Sequence, residues 1–541
     1  MTQFQVFHDI ASAVAAIGML DGLLALSKKP LHYFQLESYQ FHGYSKTIQR
    51  QMRRLLRPLG MESLIFLAFA LLCLLSAQSL LWQGIVLLLW GLGAFISGRL
   101  LSGRFYAGEE KKEFNLTKRM RRLCFVLLLL FLCAITPCFV HFNGQSLSSF
   151  LPCIFPLLVP LFVMLAGLAA KPLETFINYL YKKDAEKKLM AEKRLIRIGI
   201  TGSYGKTSTK FILASILSRK YNVLATPSSF NTPMGVTRVI RERLQPAHQI
   251  FIGEMGARHV GEIKELCGLV HPQIGILTSV GPQHLDTFKT MQRIEKTKYE
   301  LMDAIGPEGL CVFSDDGDIV TRLYDKTQKN KLLVGRENAD CWADHVTVGP
   351  SGSTFTLHIK GKAPFECTTK LLGQHNIRNI LVSAAVASYL GLSEGQIREA
   401  IGDLESVEHR MDIISTAGQI TVIDDAYNTN PRSSREALAV LKEFPGRKII
   451  LTPGMVELGA EEEKYNREFG LYMAQCVDFA LLIGPKHSLP IREGLLEGGF
   501  DEKRILVYDT LADAIAYLHT IQQPGDVVLY ENDLPDNYSE K

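Results

Sequence analysis

Apolar residues crowd the first third of the chain and then give way to short runs broken by polar ones. Residues 63–81, 84–98, 123–142 and 150–170 are apolar over lengths near the roughly 20 residues a helix needs to cross a bilayer. The second reaches that length when counted from Leu80. A fifth stretch, 4–26, is interrupted by His8, Asp9 and Asp21. No basic segment precedes it and more spans follow, so it reads as a membrane helix rather than a cleaved signal peptide. Residues 176–194 are charged and rich in helix formers, which predicts a helix leading out of the membrane region.

From residue 195 the periodicity is that of a soluble α/β protein. A β-branched run at 196–200 enters a glycine-rich turn followed by a helix over 208–218. Strand-like runs at 249–254 and 274–279 alternate with helical ones such as 291–305, which predicts βαβ units and a mostly parallel sheet. Between 346 and 369, two alternating runs flank Gly349-Pro350-Ser351-Gly352 and read as antiparallel edge strands. A helix over 376–390 ends at Gly391. A second α/β unit begins near Ile413, with strands at 420–424, 448–452, 479–483, 504–507 and 527–530. The predicted organisation is an α/β protein with a membrane region of about five transmembrane helices over 1–170 and a linker helix over 171–194. A nucleotide-binding central domain over 195–411 and a C-terminal domain over 412–541 follow.

Charge sets the expected orientation. The connection 28–57 carries Lys28, Lys29, Lys46, Arg50, Arg53, Arg54 and Arg57 against Glu37 alone, and 99–122 is again basic. Gln83 and the stretch 141–149 carry neither Lys nor Arg. Five spans with the N-terminus outside place both basic connections, and everything after Lys171, in the cytoplasm. The expected location is the cell membrane, multi-pass, with cytoplasmic catalytic domains. The basic connections also suit anionic lipid head groups or a diphosphate. The net charge of +4 gives no reason to expect nucleic acid. The ten cysteines form no C-x-x-C pair, which argues against a zinc ribbon and fits a reducing compartment.

Residues 198–208 read Ile-Gly-Ile-Thr-Gly-Ser-Tyr-Gly-Lys-Thr-Ser. Backbone N–H groups of such a turn at a helix N-terminus cradle phosphates. Gly202, Ser203, Tyr204, Gly205, Lys206, Thr207 and Ser208 are therefore candidate nucleotide contacts. Lys206 would reach the terminal phosphates and the Thr207 hydroxyl a Mg²⁺. The spacing Gly202-x-x-Gly205-Lys206-Thr207 is tighter than the common loop. By itself it also fits a strand-to-helix turn with a solvated lysine.

Taken in order, several further segments resemble the Mur ligases, ATP-dependent amide-forming enzymes of peptidoglycan synthesis. The phosphate loop looks like theirs, including its spacing. Asn231-Thr232-Pro233-Met234-Gly235 is similar to a stretch beside their phosphate site. Glu254-Met255-Gly256-Ala257 with Gly261-Glu262-Ile263 resembles the D-alanyl-D-alanine-adding branch in particular. The resemblance implies a P-loop central domain and a Rossmann-like C-terminal domain. It implies Glu254 as a magnesium ligand, His284 of Gly281-Pro282-Gln283-His284 as a contact to a second magnesium, and Lys298 of Lys296-Thr297-Lys298 as a carbamylated lysine. Asn376 and Asn379 of Gly373-Gln374-His375-Asn376-Ile377-Arg378-Asn379 would lie at the adenine and ribose side. Arg410 would reach the ATP phosphates across an interdomain cleft. The run 424–431 (Asp-Asp-Ala-Tyr-Asn-Thr-Asn-Pro) and Gly454-Met455-Val456-Glu457-Leu458-Gly459 resemble segments of the C-terminal domain.

The residue types suit such chemistry. Transfer of the γ-phosphoryl group to a carboxylate gathers negative charge, which Lys206 and Arg410 would offset. Mg²⁺ wants oxygen ligands, and Thr207, Glu254 and a carbamylated Lys298 offer them. Alternatives remain at this stage: Glu254 as a surface acid, His284 as a structural histidine, Lys298 on a solvated helix face and Asn376 as a helix cap. Asp424 and Asp425 read either as acids at a strand end or as γ-phosphate and domain-closure residues.

The resemblance fails at both ends. Membrane spans stand where the family's soluble UDP-binding domain is expected. Tyr530-Glu531-Asn532-Asp533-Leu534-Pro535 stands where Lys-Gly-Ser is expected. The expected reaction is thus ATP-dependent joining of a cell-wall peptide carboxylate to an amino acid or a dipeptide such as D-Ala-D-Ala, with the spans pointing to a lipid-linked carboxylate donor. The rival reading is a non-catalytic, ATP-gated membrane scaffold for cell-wall synthesis. An ABC-type transporter is disfavoured because its signature is lacking.

Overall fold

The computed structural model describes residues 3–76, 78–106, 113–140, 147–228, 230–415, 419–427 and 429–533. Residues 141–146 of the uncharged connection, Asn428, Leu534 and Pro535 lie outside the described residues. The chain divides into two compact units, one ending at Asn178 and the other beginning at Tyr179.

The first unit contains α1 (Gln3–Leu36), α2 (Phe41–Arg50), α3 (Met52–Leu75), α4 (Leu80–Tyr106), α5 (Lys118–Val140) and the start of α6 (Val159–Ala191). Five of these, α1 and α3 to α6, are long and apolar enough to cross a membrane. Large apolar side chains such as Leu64, Leu75, Leu100, Phe125 and Leu168 face outward, as lipid-facing helices require. Two expectations change. The basic connection 28–57 is mostly helical, because α1 runs through Pro30 to Leu36 and α2 follows directly. The last span starts at Val159 instead of 150. Pro152 lies in a preceding 3₁₀ segment, Leu147–Ile154, and Pro156 and Pro160 deny the α-helix the backbone N–H donors it needs there. The predicted 171–194 helix is the continuation of α6 through Pro172.

Small residues let α1 and α4 approach closely. A Cβ on Gly18 would lie 2.0 Å from Gly91 O, and one on Gly98 2.5 Å from Gly22 Cα. The Asp21 carboxylate takes the Arg99 guanidinium with two bonds of 2.8 Å across the same seam. Ser97 on α4 donates to Glu62 Oε1 on α3 at 2.9 Å.

The second unit holds two sheets. The larger comprises β1 (Ile196–Thr201), β2 (Val223–Ala225), β3 (Ile250–Glu254), β4 (Ile274–Leu277), β5 (Leu310–Ser314), β6 (Lys331–Val334), β7 (Cys341–Gly349), β8 (Gly352–Ile359) and β9 (Phe365–Thr369). Its nine strands run in the order β2-β3-β1-β4-β5-β6-β7-β8-β9 and are parallel through β7. β7, β8 and β9 pair antiparallel at one edge. Ile198, Ile200, Ile252 and Ile276 are fully buried between the layers. The chain leaves β1 toward β2 on one side while β4 lies on the other, so the end of β1 is the switch point where open α/β sheets bind ligands.

The smaller sheet has six strands, β10 (Asp412–Ser415), β11 (Thr421–Asp425), β12 (Lys448–Thr452), β13 (Phe479–Ile483), β14 (Ile505–Tyr508) and β15 (Val527–Glu531). Its order is β10-β11-β15-β12-β13-β14, with only β10 antiparallel. β2, β5, β6, β9 and β10 are not among the strands the pattern predicts.

Because the α1–α4 seam tolerates no side chain at Gly18, Gly18→Leu should lower the melting temperature of detergent-purified protein and raise its aggregated fraction on size exclusion. Gly60→Leu, where a Cβ meets nothing within 4 Å, should leave both unchanged.

Candidate active site

Three strand ends meet at the phosphate loop. Parallel pairing sets Ile200 beside Glu254 and Thr201 beside Leu277. A Cβ on Gly202 would lie 2.0 Å from Thr278 Oγ1, and one on Gly205 2.8 Å from Asn379 Oδ1. Gly205, at φ 76°, caps the helix Lys206–Leu217, which therefore starts two residues earlier than the pattern predicts. Its first N–H groups have no intrahelical acceptor.

Ser203 and Tyr204, expected as nucleotide contacts, are committed to the protein. Their N–H groups donate to Ser279 O at 2.9 Å and Ser279 Oγ at 2.6 Å. Their hydroxyls donate to Gly281 O at 2.9 Å and Pro282 O at 3.1 Å. The open donors of the loop are those from Gly205 to Ser208. Lys206 Nζ bends back over the loop to Gly202 O at 2.8 Å and Ser203 O at 3.2 Å. Burial pulls its ammonium down to about 8, with Arg410 adding repulsion against the attraction of Glu254.

Glu254 is 1 % exposed, which rules out a surface acid. It accepts from Thr207 Oγ1 at 3.2 and 3.0 Å, Lys210 Nζ at 2.9 Å and Asn231 Nδ2 at 3.1 Å. Burial pushes its carboxyl up, but Lys210 and Lys206 outweigh that and hold it below the ordinary range. Lys210, which also donates to Ser228 O, was not anticipated. Between Thr209 and Phe211 it reads as any helical lysine, and only the approach of β3 reveals its partner.

Lys298 is also 1 % exposed, so the solvated helix face is excluded. It has no hydrogen-bond acceptor among the described residues. Burial, then the nearby Lys206, hold its amine well below the usual lysine range. His284, at φ 51°, brings Nδ1 to 2.6 Å from Glu457 Oε2. Burial lowers the imidazole while Glu457 pulls it up, with a net fall. Burial raises Glu457, but His284 and Arg258 hold it at about 2. A neutral imidazole donating from Nδ1 to an ionised carboxylate satisfies both and leaves Nε2 as a free lone pair.

A cleft of about 970 Å³ lies between the two sheets' domains. Residues 203–208, Asn376 and Asn379 line it from one side, and Arg410, Asp425 and Arg432 from the other. Glu254, His284 and Lys298 are not in this lining. Arg378 and Arg432 bridge the domains through Asp316 and Glu436. Burial pushes Asp316 up to about 6 despite Arg432. Arg410 rests 4.4 Å from the Tyr427 ring centroid. Asn376 is not the helix cap: Gly373 is, and Asn376 Nδ2 donates to Leu372 O at 2.9 Å. Asn379 Oδ1 accepts from Thr209 Oγ1 at 3.1 Å, which pins it to the phosphate-loop helix.

Asp425, in the wall of the cleft, is the register partner of Glu531 across β11 and β15. Burial raises them to about 7 and about 8. Glu531 accepts from Thr429 and, at 2.9 Å, from Thr452. Asp424 instead holds His409 Nδ1 at 2.6 Å.

Comparison with known proteins places this geometry. The Mur ligase middle domain matches residues 200–387, and the Mur ligase glutamate ligase domain residues 409–530. UDP-N-acetylmuramoyl-tripeptide–D-alanyl-D-alanine ligase of Mycobacterium tuberculosis is 34 % identical over 358 residues, which are 61 % of this chain and 69 % of that protein. The chain belongs to the Mur ligase family. The Escherichia coli enzyme of the same name is 28 % identical, over 66 % of this Mur ligase and 82 % of its own length. Among solved structures, MurF from Acinetobacter baumannii superposes with a TM-score of 0.61 at 26 % identity, over 67 % of this chain and 79 % of its own. The MurF ligase from Thermotoga maritima in complex with ADP gives 0.60 at 26 % identity, over 66 % and 80 %. Members of the family are amide ligases that use ATP with Mg²⁺. The donor set fits that ion, since Thr207 and Glu254 present only oxygen.

Two outcomes test this electrostatics. Lys210→Met strands a buried carboxylate and should cost about 3–5 kcal/mol in chemical denaturation, with Glu254→Gln in the same chain recovering part of it. Glu531 has a folded pKa of about 8 against its ordinary 4.5, so its stabilising share is complete below pH 4.5 and lost as pH rises through about 8. Glu531→Gln should therefore gain in melting temperature over wild type on going from pH 5 to pH 9.

Proposed function

We propose that this Mur ligase is membrane-anchored and joins a peptide carboxylate of a cell-wall precursor to D-alanyl-D-alanine at the cytoplasmic face. The observation that carries the reading is the buried Thr207–Glu254–Lys210 cluster directly under a phosphate loop that shares its cleft with Arg410. The names of the relatives supply the substrate pair. The five apolar helices support the anchoring, and their place ahead of the matched region supports a donor carried on a membrane lipid.

In the first step an oxygen of the substrate carboxylate attacks the γ-phosphorus of ATP. The bond to the β,γ-bridging oxygen breaks, giving an acyl phosphate and ADP. In the second step the amine attacks the acyl carbon, and inorganic phosphate leaves with the electron pair of the C–O bond. Bound Mg²⁺ supplies charge neutralisation at the phosphates. Thr207 and Glu254 would hold it, with Asn231 and Lys210 fixing the carboxylate. Lys206 and the N–H groups of residues 205–208 bind the phosphates, and Arg410 brings a positive charge from the other domain. His284, oriented by Glu457, offers Nε2 to a second ion. Burial and the nearby Lys206 disfavour the ammonium form of Lys298, and its neutral amine would add CO₂ and release a proton, turning a buried cation into a carboxylate ligand. Asn376, Asn379 and Asp425 form the nucleotide's remaining walls.

Full-length protein in nanodiscs should release phosphate from ATP only when a muramoyl-tripeptide donor and D-alanyl-D-alanine are both present. Lys206→Ala should lower that rate by about 10³-fold or more. A scaffold would tolerate the substitution. Equal turnover of UDP-linked and polyprenyl-linked tripeptide would contradict the lipid-linked donor while leaving the ligase reading intact.

A further inference from the structure

The first unit contains a cavity that the ligase chemistry does not use. This solvent-open cavity of about 640 Å³ lies where α1 ends, α2 begins, α5 begins and α6 passes residues 167–178, with Gln40 and Lys171 at its exposed side. All four boundaries are ends of apolar spans or the residues just beyond them, so a membrane crossed by these spans would have its surface at the level of the cavity. Phe34, Tyr39 and Phe41 form an aromatic wall, and Tyr39 is of the amphipathic type enriched at membrane surfaces.

Its charges are unequally satisfied. Glu174 is buried and takes Arg122 through two bonds of 2.5 and 2.8 Å. Arg119 reaches the same carboxylate only at 3.8 Å and lies 3.9 Å from the Tyr39 ring centroid. Lys171 has no acid or hydrogen-bond acceptor among the described residues, and its ammonium stands 5.8 Å from the Phe41 ring centroid. The side-chain amides of Gln40 and Asn178 line the cavity and make no hydrogen bond among the described residues. Three cations thus meet one carboxylate, which is already paired, and two idle amides stand beside them. That is a receptor for an oxyanion, with an aromatic surface for apolar chain next to it.

We propose that this cavity binds the phosphate or diphosphate head group of a membrane lipid and so anchors the lipid-linked donor. The inference rests on the lipid-linked reading given above. Lys171 makes the principal charge contact, Gln40 and Asn178 complete the oxyanion shell, and the aromatic wall takes the first carbons of the chain.

The test uses full-length protein in phosphatidylcholine nanodiscs doped with polyprenyl diphosphate, read by native mass spectrometry without ATP. One polyprenyl diphosphate should be retained per protein. Lys171→Gln, on an exposed side chain, and Asn178→Leu should each weaken retention, the former by about tenfold, with melting temperatures unchanged. Unchanged retention in both variants would overturn the proposal. So would equal retention of phosphatidylglycerol, or displacement by inorganic diphosphate at matching concentration, which would mark a site for a free anion. Because ATP is absent, failure here is separate from failure of the ligase reading, which phosphate release decides.

Discussion

A carboxylate buried at the end of β3 is the fixed point of the catalytic unit. Glu254 cannot be ionised in that place without cations, and Lys210 and Lys206 supply them. It cannot be left without donors, and Thr207 and Asn231 supply those. The same four partners come from the phosphate loop, its helix and the segment before the next helix. Holding one anion in low dielectric therefore fixes the phosphate loop, its helix and the segment before the next helix against β3. The glycines follow from it: with β4 and Asn379 pressed against the loop, positions 202 and 205 have no room for a side chain.

The second domain completes the site largely by electrostatics, beside a small apolar contact in which Leu372 joins the C-terminal core. Arg378 and Arg432 clasp Asp316 and Glu436, and His284 is oriented by Glu457 from across the cleft. Such contacts are polar and partly exposed, and they can part and reform, as a cleft that admits nucleotide requires.

Much of this was legible in the sequence because the signals are local. The glycine spacing, the apolar spans and the five β-strand runs of the C-terminal domain each depend on neighbours in the chain. The tight turn at Gly202-Gly205 needs only its own residues to be recognised. The rest depends on partners far away in the chain. Lys210 is ordinary until Glu254, 44 residues later, is placed against it. Ser203 and Tyr204 look like phosphate contacts until Ser279 takes their N–H groups. β2 spans only three residues, and the apolar runs of β5 and β6 fit a buried helix segment as well as a strand. The last span was placed too early because composition counts apolar residues and overlooks what prolines do to the helix start. At the C-terminal end, Glu531 departs from the family pattern, and its role in holding Thr429 and Thr452 emerges only when β15 is set between β11 and β12.

Phosphoryl transfer needs buried positive charge beside the phosphate loop, and the cations that hold Glu254 supply it. The central claim is that ATP's γ-phosphoryl group passes to the substrate carboxylate before the amine arrives. Its most direct test labels both terminal carboxylate oxygens of the donor peptide with oxygen-18 and measures the released phosphate by mass spectrometry. The account predicts one labelled oxygen in each phosphate formed with product; phosphate carrying no label would contradict it.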